Sequence, residues 1–365
     1  MSTDPTITDV RAVAYEFPID APESDGTLEW SSTTLVVVTA TAAGRTGLGY
    51  TYGHPAVATI VRKKLADVVT GQNAIDVRAA NAAMVGAVRN LGATGITSMA
   101  ISAVDIALWD LKARLLGLSL AVALDAIHET VPIYGSGGFT SYDDDQISRQ
   151  LEGWVEAGIP RVKIKVGREP HRDPHRLEIA RKAIGNDTEL YVDANGAFTP
   201  REAIDWARVY RHEFDVRWFE EPVTSDDVTG LRLVRTTAPG GIDVAAGEYV
   251  WAPWQAPAML TAVDVLQLDV TRCLGITGVL VAAATAQSRH VDVSAHCAPQ
   301  ISAHASTALR RLRHLEYFHD HVRIESAYFD GGLQPERGGV LRPDRSRPGH
   351  GLEFKWADAD AYRVA

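Results

Sequence analysis

Along the first fifty residues, apolar and polar positions alternate with the two-residue period of an extended chain. Ile7 to Phe17 alternates, Thr33 to Thr41 is rich in β-branched residues, and Arg45 to Tyr52 is punctuated by glycine, which predicts a meander of three strands. Between the first two runs, Asp20 to Trp30 is polar and full of turn formers, so it reads as a loop long enough to act as a lid. The period then lengthens to that of helices at about 56 to 70, 74 to 90 and 99 to 116. The third carries Ala100, Val104, Ala107, Leu108, Leu111 and Leu115 on one face, with Gly117 as its stop.

From Val131 the pattern becomes short apolar runs separated by helical segments. The runs are Val131 to Tyr134, Val162 to Val166, Leu190 to Val192, Val216 to Phe219, Ile242 to Ala245, Val265 to Leu268, Val291 to Ser294, and one ending near Leu315. Eight such strands with a helix between each pair fit an α/β fold, a (β/α)8 barrel with room for one irregular unit. Tyr328 to Ala365, rich in Gly, Pro and Arg, is expected to return over the first domain. The expected organisation is therefore 1–128 as an N-terminal α+β domain, 129–327 as the barrel, and 328–365 packing back on the first.

Composition narrows the function classes. In 365 residues there are 36 Lys plus Arg against 46 Asp plus Glu, a net charge of −10, which argues against nucleic acid, whose binding needs clustered cations. Two cysteines, Cys273 and Cys297, cannot make a disulfide framework, so a reducing, cytoplasmic setting is expected. The apolar run Gly278 to Ala286 is far too short to span a bilayer, and Met1 to Thr8 has no basic-then-apolar leader pattern.

Charged residues recur at the ends of the expected barrel strands, where such a fold places its chemistry. Lys163 and Lys165 stand two apart and face one way, and their mutual repulsion is expected to lower the pKa of one toward that of a usable base. The competing reading is an edge strand guarded by lysines. Asp193-Ala-Asn195, Glu220-Glu-Pro222 and Gly247-Glu248 follow at the next three ends. Singly each acid reads as a solvated loop charge. Together, three converging carboxylates call for a divalent cation, and oxygen donors favour Mg2+, with Asp193, Glu220 and Glu248 as ligands and Glu221 behind them. Asp269 and His296 follow the sixth and seventh runs and could form an acid/base dyad opposite Lys165. Glu316 closes the round, either as a protonated acid that donates to a substrate oxygen or as a charge at a helix start. Cys297 reads as packing, Asp143-Asp-Asp145 as a solvated helix start, and His319-Asp-His321 as a surface cluster in a loop.

These motifs, in this order, resemble the enolase superfamily and within it the mandelate racemase subgroup. The resemblance rests on Lys163-Ile-Lys165, Asp193-Ala-Asn195, Glu220-Glu-Pro222, Gly247-Glu248, Asp269 with Gly275-Ile-Thr-Gly278, His296 and Glu316, and on the helix piece Ser102 to Lys112. It implies a modified TIM (β/α)8 barrel under an α+β capping domain, one Mg2+, Lys165 and the His296–Asp269 dyad as two bases, and a homo-oligomer. The implied chemistry is removal of the proton beside a substrate carboxylate to give an enediolate, stabilised by Mg2+, Lys163 and Glu316. The preferred reading is dehydration of a hydroxylated sugar acid to a 2-keto-3-deoxy acid. Racemisation or epimerisation of a 2-hydroxy acid and cycloisomerisation of a sugar-acid lactone are the alternatives. Outside this class stand a metal-dependent aldolase and a non-catalytic acid-binding barrel. The small-molecule carboxylate is expected to meet Asn195, Trp30, Tyr52 and His54.

Overall fold

The computed structural model describes residues 5–365; Met1 to Asp4, part of the stretch read for a leader, lie outside the described residues. The N-terminal alternation forms an antiparallel sheet of β1 (Ile7–Ser24), β2 (Glu29–Ala42) and β3 (Arg45–Tyr52), in that order. Asp20 to Trp30, expected as a loop, is mostly strand. Past a register shift, where β1 uses the five steps from Pro18 to Glu23 against two on β2, pairing resumes at Glu23↔Trp30 and Ser24↔Glu29. The irregularity absorbs Pro18 and Pro22, which cannot donate to a ladder. Only the tip is a turn, closed by Asp25 Oδ1, which accepts from the backbone N–H groups of Thr27 and Leu28 at 2.7 Å each.

The helix Ile96–Leu116 lies along β3 because Gly47 and Gly49 have no side chain in the way; a Cβ on Gly49 would strike the Ala103 carbonyl. On its apolar face Ala100, Val104, Ala107, Leu108 and Leu111 are buried, and Leu115 near its end is half-buried. Gly117 ends it in the left-handed region, at φ 67°, returning its N–H to the Ala113 and Arg114 carbonyls. Asp105 and Ser102 on this helix cap the barrel helix Gly275–Ser288: Asp105 accepts from Thr277 N at 3.0 Å and from Asn81 Nδ2 at 2.8 Å, and Ser102 Oγ accepts from Gly275 N at 2.8 Å.

Eight parallel strands make the barrel: β4 (Val131–Gly137), β5 (Arg161–Lys165), β6 (Glu189–Asp193), β7 (Val216–Glu220), β8 (Asp243–Ala246), β9 (Val265–Leu268), β10 (Asp292–Ala295) and β11 (Leu312–Phe318). Pairing of β11 with β4 closes the ring. The irregular unit falls between β8 and β9, where a 3-10 turn and the four-residue helix Ala256–Met259 stand in for a full helix. The eighth strand runs past the expected stop near Leu315 to Phe318, so Glu316 stands inside it, paired with Tyr134. Ile164, Val192, Phe219 and Val244 join the core under the outer helices, while Tyr134, Tyr191 and Trp218 pack together, with ring centroids 5.5 and 5.6 Å apart. This aromatic cluster lies next to the charged groups of the site, and Trp218 Nε1 donates to Glu220 Oε2 at 2.9 Å.

The last segment touches both bodies. β12 (Phe329–Asp330) pairs with β14 (Glu353–Phe354), β13 (Val340–Leu341) adds antiparallel to β4, and Ala14 exchanges backbone hydrogen bonds with Val364 and Ala365 at 2.9 and 2.8 Å. Among the described residues, no helix is long and apolar enough to cross a membrane.

Candidate active site

Strand alternation turns Lys163 and Lys165 into the barrel while Ile164 packs outward. Both ammonium groups reach Asp193 Oδ2, Lys165 at 2.6 Å and Lys163 at 3.4 Å. Lys163 also contacts Glu220 Oε2 at 2.7 Å and Glu316 Oε1 at 2.8 Å. Asp193 and Glu220 are the last residues of β6 and β7 and sit in register, whereas Glu248 follows β8 after Gly247, whose φ of 130° turns the chain. Opposite, His296 Nδ1 meets Asp269 Oδ2 at 2.7 Å and Nε2 meets Glu248 Oε2 at 2.7 Å. All eight of these side chains are buried.

Two expected charge states are reversed. Burial pushes the Lys165 pKa down, but the Asp193 carboxylate overrides both that and the repulsion from Lys163, so Lys165 is held above its ordinary value. Burial pushes Glu316 up, yet Lys163 and His296 hold it well below the carboxylate range. It is an ionised acceptor, taking a hydrogen bond from Ser136 Oγ at 2.6 Å, and not the protonated donor expected. Burial pushes Glu220 up to about 8. His296 is driven down by burial and far more strongly up by the negative charge around it; Cys297 keeps its proton, so Glu248, Glu316 and Asp269 supply that pull. Glu248 in turn lies well below the usual range, with burial opposed by His296 and Arg272. Glu221, at φ 36°, turns its carboxyl away to Ser225, and burial beside Glu248 raises its pKa.

The donor set of this mouth suits a hard divalent cation, although the oxygens of its three carboxylates do not all lie within 4.8 Å of one another as they stand. Asp193, Glu220 and Glu248 offer carboxylate oxygens from three successive strands, and the buried Glu220 Oε1 and Asn195 Oδ1 have no hydrogen-bond partner. Over them lies a cavity of about 300 Å³. Its floor includes Lys165, Asn195, Glu248, His296 and Glu316, and its other wall comes from the first domain, with Trp30, Thr33, Thr34 and Tyr52. The β1–β2 tip closes onto the barrel, with Thr27 Oγ1 donating to the Asn195 carbonyl at 3.3 Å and Gly26 so close that a Cβ would strike the Ala194 carbonyl.

Of the residues expected to meet substrate, Asn195, Trp30 and Tyr52 line this cavity and His54 does not. His54 is exposed, and its Nδ1 accepts from Ala56 N at 3.1 Å at the start of a helix. His319-Asp-His321 begins the helix His319–Tyr328 instead of a surface loop, so Asp320 and His321 are buried and line the cavity, with His321 stacked on Tyr52 at 3.4 Å between centroids. Cys297 lines it as well, 3.2 Å from His296 Nε2. The sequence reading passed over Arg272, which contacts Asp269 and Glu248 at 3.4 Å each. Its place three residues beyond Asp269, in the turn that follows β9, was the available signal. Asp143 caps its helix through Gln146, as a solvated helix start should.

Comparison with known proteins gives the family. Residues 7–124 match the mandelate racemase / muconate lactonizing enzyme N-terminal domain, and residues 146–359 match the enolase C-terminal domain-like family. A 3,6-anhydro-alpha-L-galactonate cycloisomerase of Streptomyces coelicolor is 31% identical over 94% of this chain and 95% of its own. The crystal structure of a mandelate racemase/muconate lactonizing enzyme-like protein from Rubrobacter xylanophilus superposes with TM-score 0.97 at 54% identity, covering 99% of this chain and 100% of that one. That of L-talarate/galactarate dehydratase from Salmonella typhimurium LT2, liganded with Mg and L-lyxarohydroxamate, gives 0.90 at 26% identity, covering 100% and 94%. With a closed parallel barrel, a capping sheet and both family domains matched in order, the chain belongs to the enolase superfamily, in its mandelate racemase subgroup.

Proposed function

We propose that this enzyme dehydrates a hydroxylated sugar acid to a 2-keto-3-deoxy acid with the help of Mg2+. The observation that carries the reading is one cavity lined by two proton-transfer groups, Lys165 from β5 and His296 from β10, and by Glu248, with Asp193 paired to Lys165 and Asp269 to His296 directly behind them. The carboxylates of Asp193, Glu220 and Glu248 would hold the Mg2+, which supplies an anchor for the substrate carboxylate and electrophilic stabilisation of the charge that develops on it.

The chain's own residues account for the remaining steps. Lys165 takes the proton from C2 and must first lose the proton that Asp193 stabilises; a cation shared by the carboxylates acts in that direction. Lys163, fixed by Glu220 and Glu316, donates to the substrate oxygen that gains charge. His296, charged between Asp269 and Glu248, gives its proton to the C3 hydroxyl as the C3–O bond breaks, and water leaves. The enol left behind gains a proton at C3 to become the 2-keto acid. Burial of the site under the β1–β2 tip keeps bulk water from these proton transfers.

A second reading has support in the cycloisomerase relative that matches along nearly the whole chain. If the oxygen on C3 belongs to a ring, the same elimination opens the ring and loses no water. Incubation of sugar acids with enzyme and Mg2+, assayed as semicarbazone absorbance and product mass, tests the proposal. A keto acid lighter by one water supports dehydration, a keto acid of unchanged mass indicates ring opening, and full activity in excess chelator contradicts the metal's role.

A further inference from the structure

We propose that the cavity selects an acid with one carboxylate and an uncharged, hydroxyl-bearing chain, and rejects diacids. This rests on the acid-sugar reading above and narrows it. Among the described residues, Lys165 and Arg272 are the only lysine and arginine lining the cavity, against the four carboxylates of Asp25, Glu248, Glu316 and Asp320. These two and the charged His296 belong to the barrel floor, and all three are engaged: Lys165 with Asp193 at 2.6 Å, His296 with Asp269 and Glu248 at 2.7 Å each, and Arg272 with Glu248 and Asp269 at 3.4 Å each, its guanidinium 5.0 Å from the Tyr249 ring centroid.

Among the described residues, the wall supplied by the first domain has no cation. It presents the hydroxyls of Ser32, Thr33 and Thr34, the Asp25 carboxylate, and the apolar surfaces of Trp30 and Leu28. Asp25 uses one oxygen to close the hairpin turn, and Thr33 donates to the buried Asp320. Arg323, which neutralises Asp320, reaches it without lining the cavity. Arg168 lies in a separate cleft behind the hairpin tip, paired with Glu29 at 3.0 Å. His321 takes a hydrogen bond from Ala298 N on Nδ1 at 3.1 Å, so its ring is a neutral donor and not a cation.

A second substrate carboxylate in this enclosure would give up water and meet the Asp25 carboxylate and an Asp320 already paired with Arg323, with no free positive partner on the cap wall. A sugar hydroxyl both donates and accepts, so it can donate to those carboxylates and accept from the hydroxyl of Thr34, which lines the cavity. The cap wall is thus matched to a polyol chain.

The test compares kcat/KM, with Mg2+ present, for five- and six-carbon aldonic acids and the aldaric acids of matching stereochemistry, with deuterium exchange at C2 followed in parallel. The best aldonic acid is expected to exceed its diacid counterpart by about 100-fold or more. A diacid handled as well as its counterpart, or better, overturns the proposal while leaving the dehydratase reading intact. Absence of both turnover and C2 exchange across the whole panel overturns both. Thr34→Lys, which places an ammonium on the cap wall, is expected to narrow the preference by about tenfold or more. A folded T34K enzyme with an unmoved preference overturns the assignment of that wall as the selecting surface.

Discussion

At His296, Asp269 and Glu248 hold opposite edges of one ring, each at 2.7 Å. Asp269 is itself fixed, its Oδ1 accepting from the N–H of Thr271 at 2.6 Å and from its hydroxyl at 2.7 Å, so the ring's orientation is set by strand ends and not by a mobile loop. Asp269→Asn should preserve the fold but present the imidazole in the wrong tautomer, lowering kcat by about 10² to 10⁴ with little change in KM, as steady-state kinetics and the melting temperature together would show. An unchanged kcat would remove the dyad. The sequence marked where these groups stand, because the period of two and the strand ends determine position. Their charge states were not legible. Lys165 and Glu316 each answer to a partner on a different strand, and no spacing along the chain reveals that Asp193 outweighs Lys163, or that Lys163 keeps Glu316 ionised.

The element that most directly shapes the site is the β1–β2 hairpin. Its tip docks through Gly26, where even a methyl group would strike the Ala194 carbonyl and lie 2.8 Å from that of Val166. Gly26→Val should hold the tip away from the barrel, raising KM and lowering kcat about tenfold or more, with thermal stability nearly unchanged. Wild-type kinetics in that variant would mean the tip has no part in closure. Composition alone disguised this hairpin as a loop, because Asp20 and Pro22 are turn formers that here occupy an irregular stretch of a continuous strand. In the same way, the charged residues of His319-Asp-His321 concealed a helix start packed against the cavity. The barrel strands were plain in the sequence since each is a short apolar run bounded by turns. The long helix was plain too, since its buried face repeats every three to four residues.

Across the whole molecule, the first domain and the barrel meet through buried polar contacts as well as apolar ones. Asp105 joins them at Thr277, and Asp105→Ala should cost about 1 to 3 kcal/mol by orphaning the donors of Thr277 and Asn81, measurable by urea unfolding. Burial pushes Asp105 up to about 7 and Glu325, which accepts from Tyr50 and Tyr52, up to about 8. In the unfolded chain both titrate near 4. The folded state therefore binds protons more tightly at these two sites, and their contribution is complete below about pH 4 and lost as pH rises through 7 and 8. The melting temperature should accordingly lose this contribution between about pH 4 and 8 and level off above, and Glu325→Gln should flatten the fall; a rise between pH 5 and 8 would contradict the assignment. The central claim, that Lys165 removes the C2 proton and His296 expels the C3 hydroxyl, is tested most directly by proton NMR of a turned-over sugar acid in D2O with Mg2+ and each base variant. Lys165→Ala should show neither exchange nor product, whereas His296→Asn should still replace the C2 proton with deuterium while forming no 2-keto acid. Exchange retained without Lys165 and lost without His296 would contradict the account.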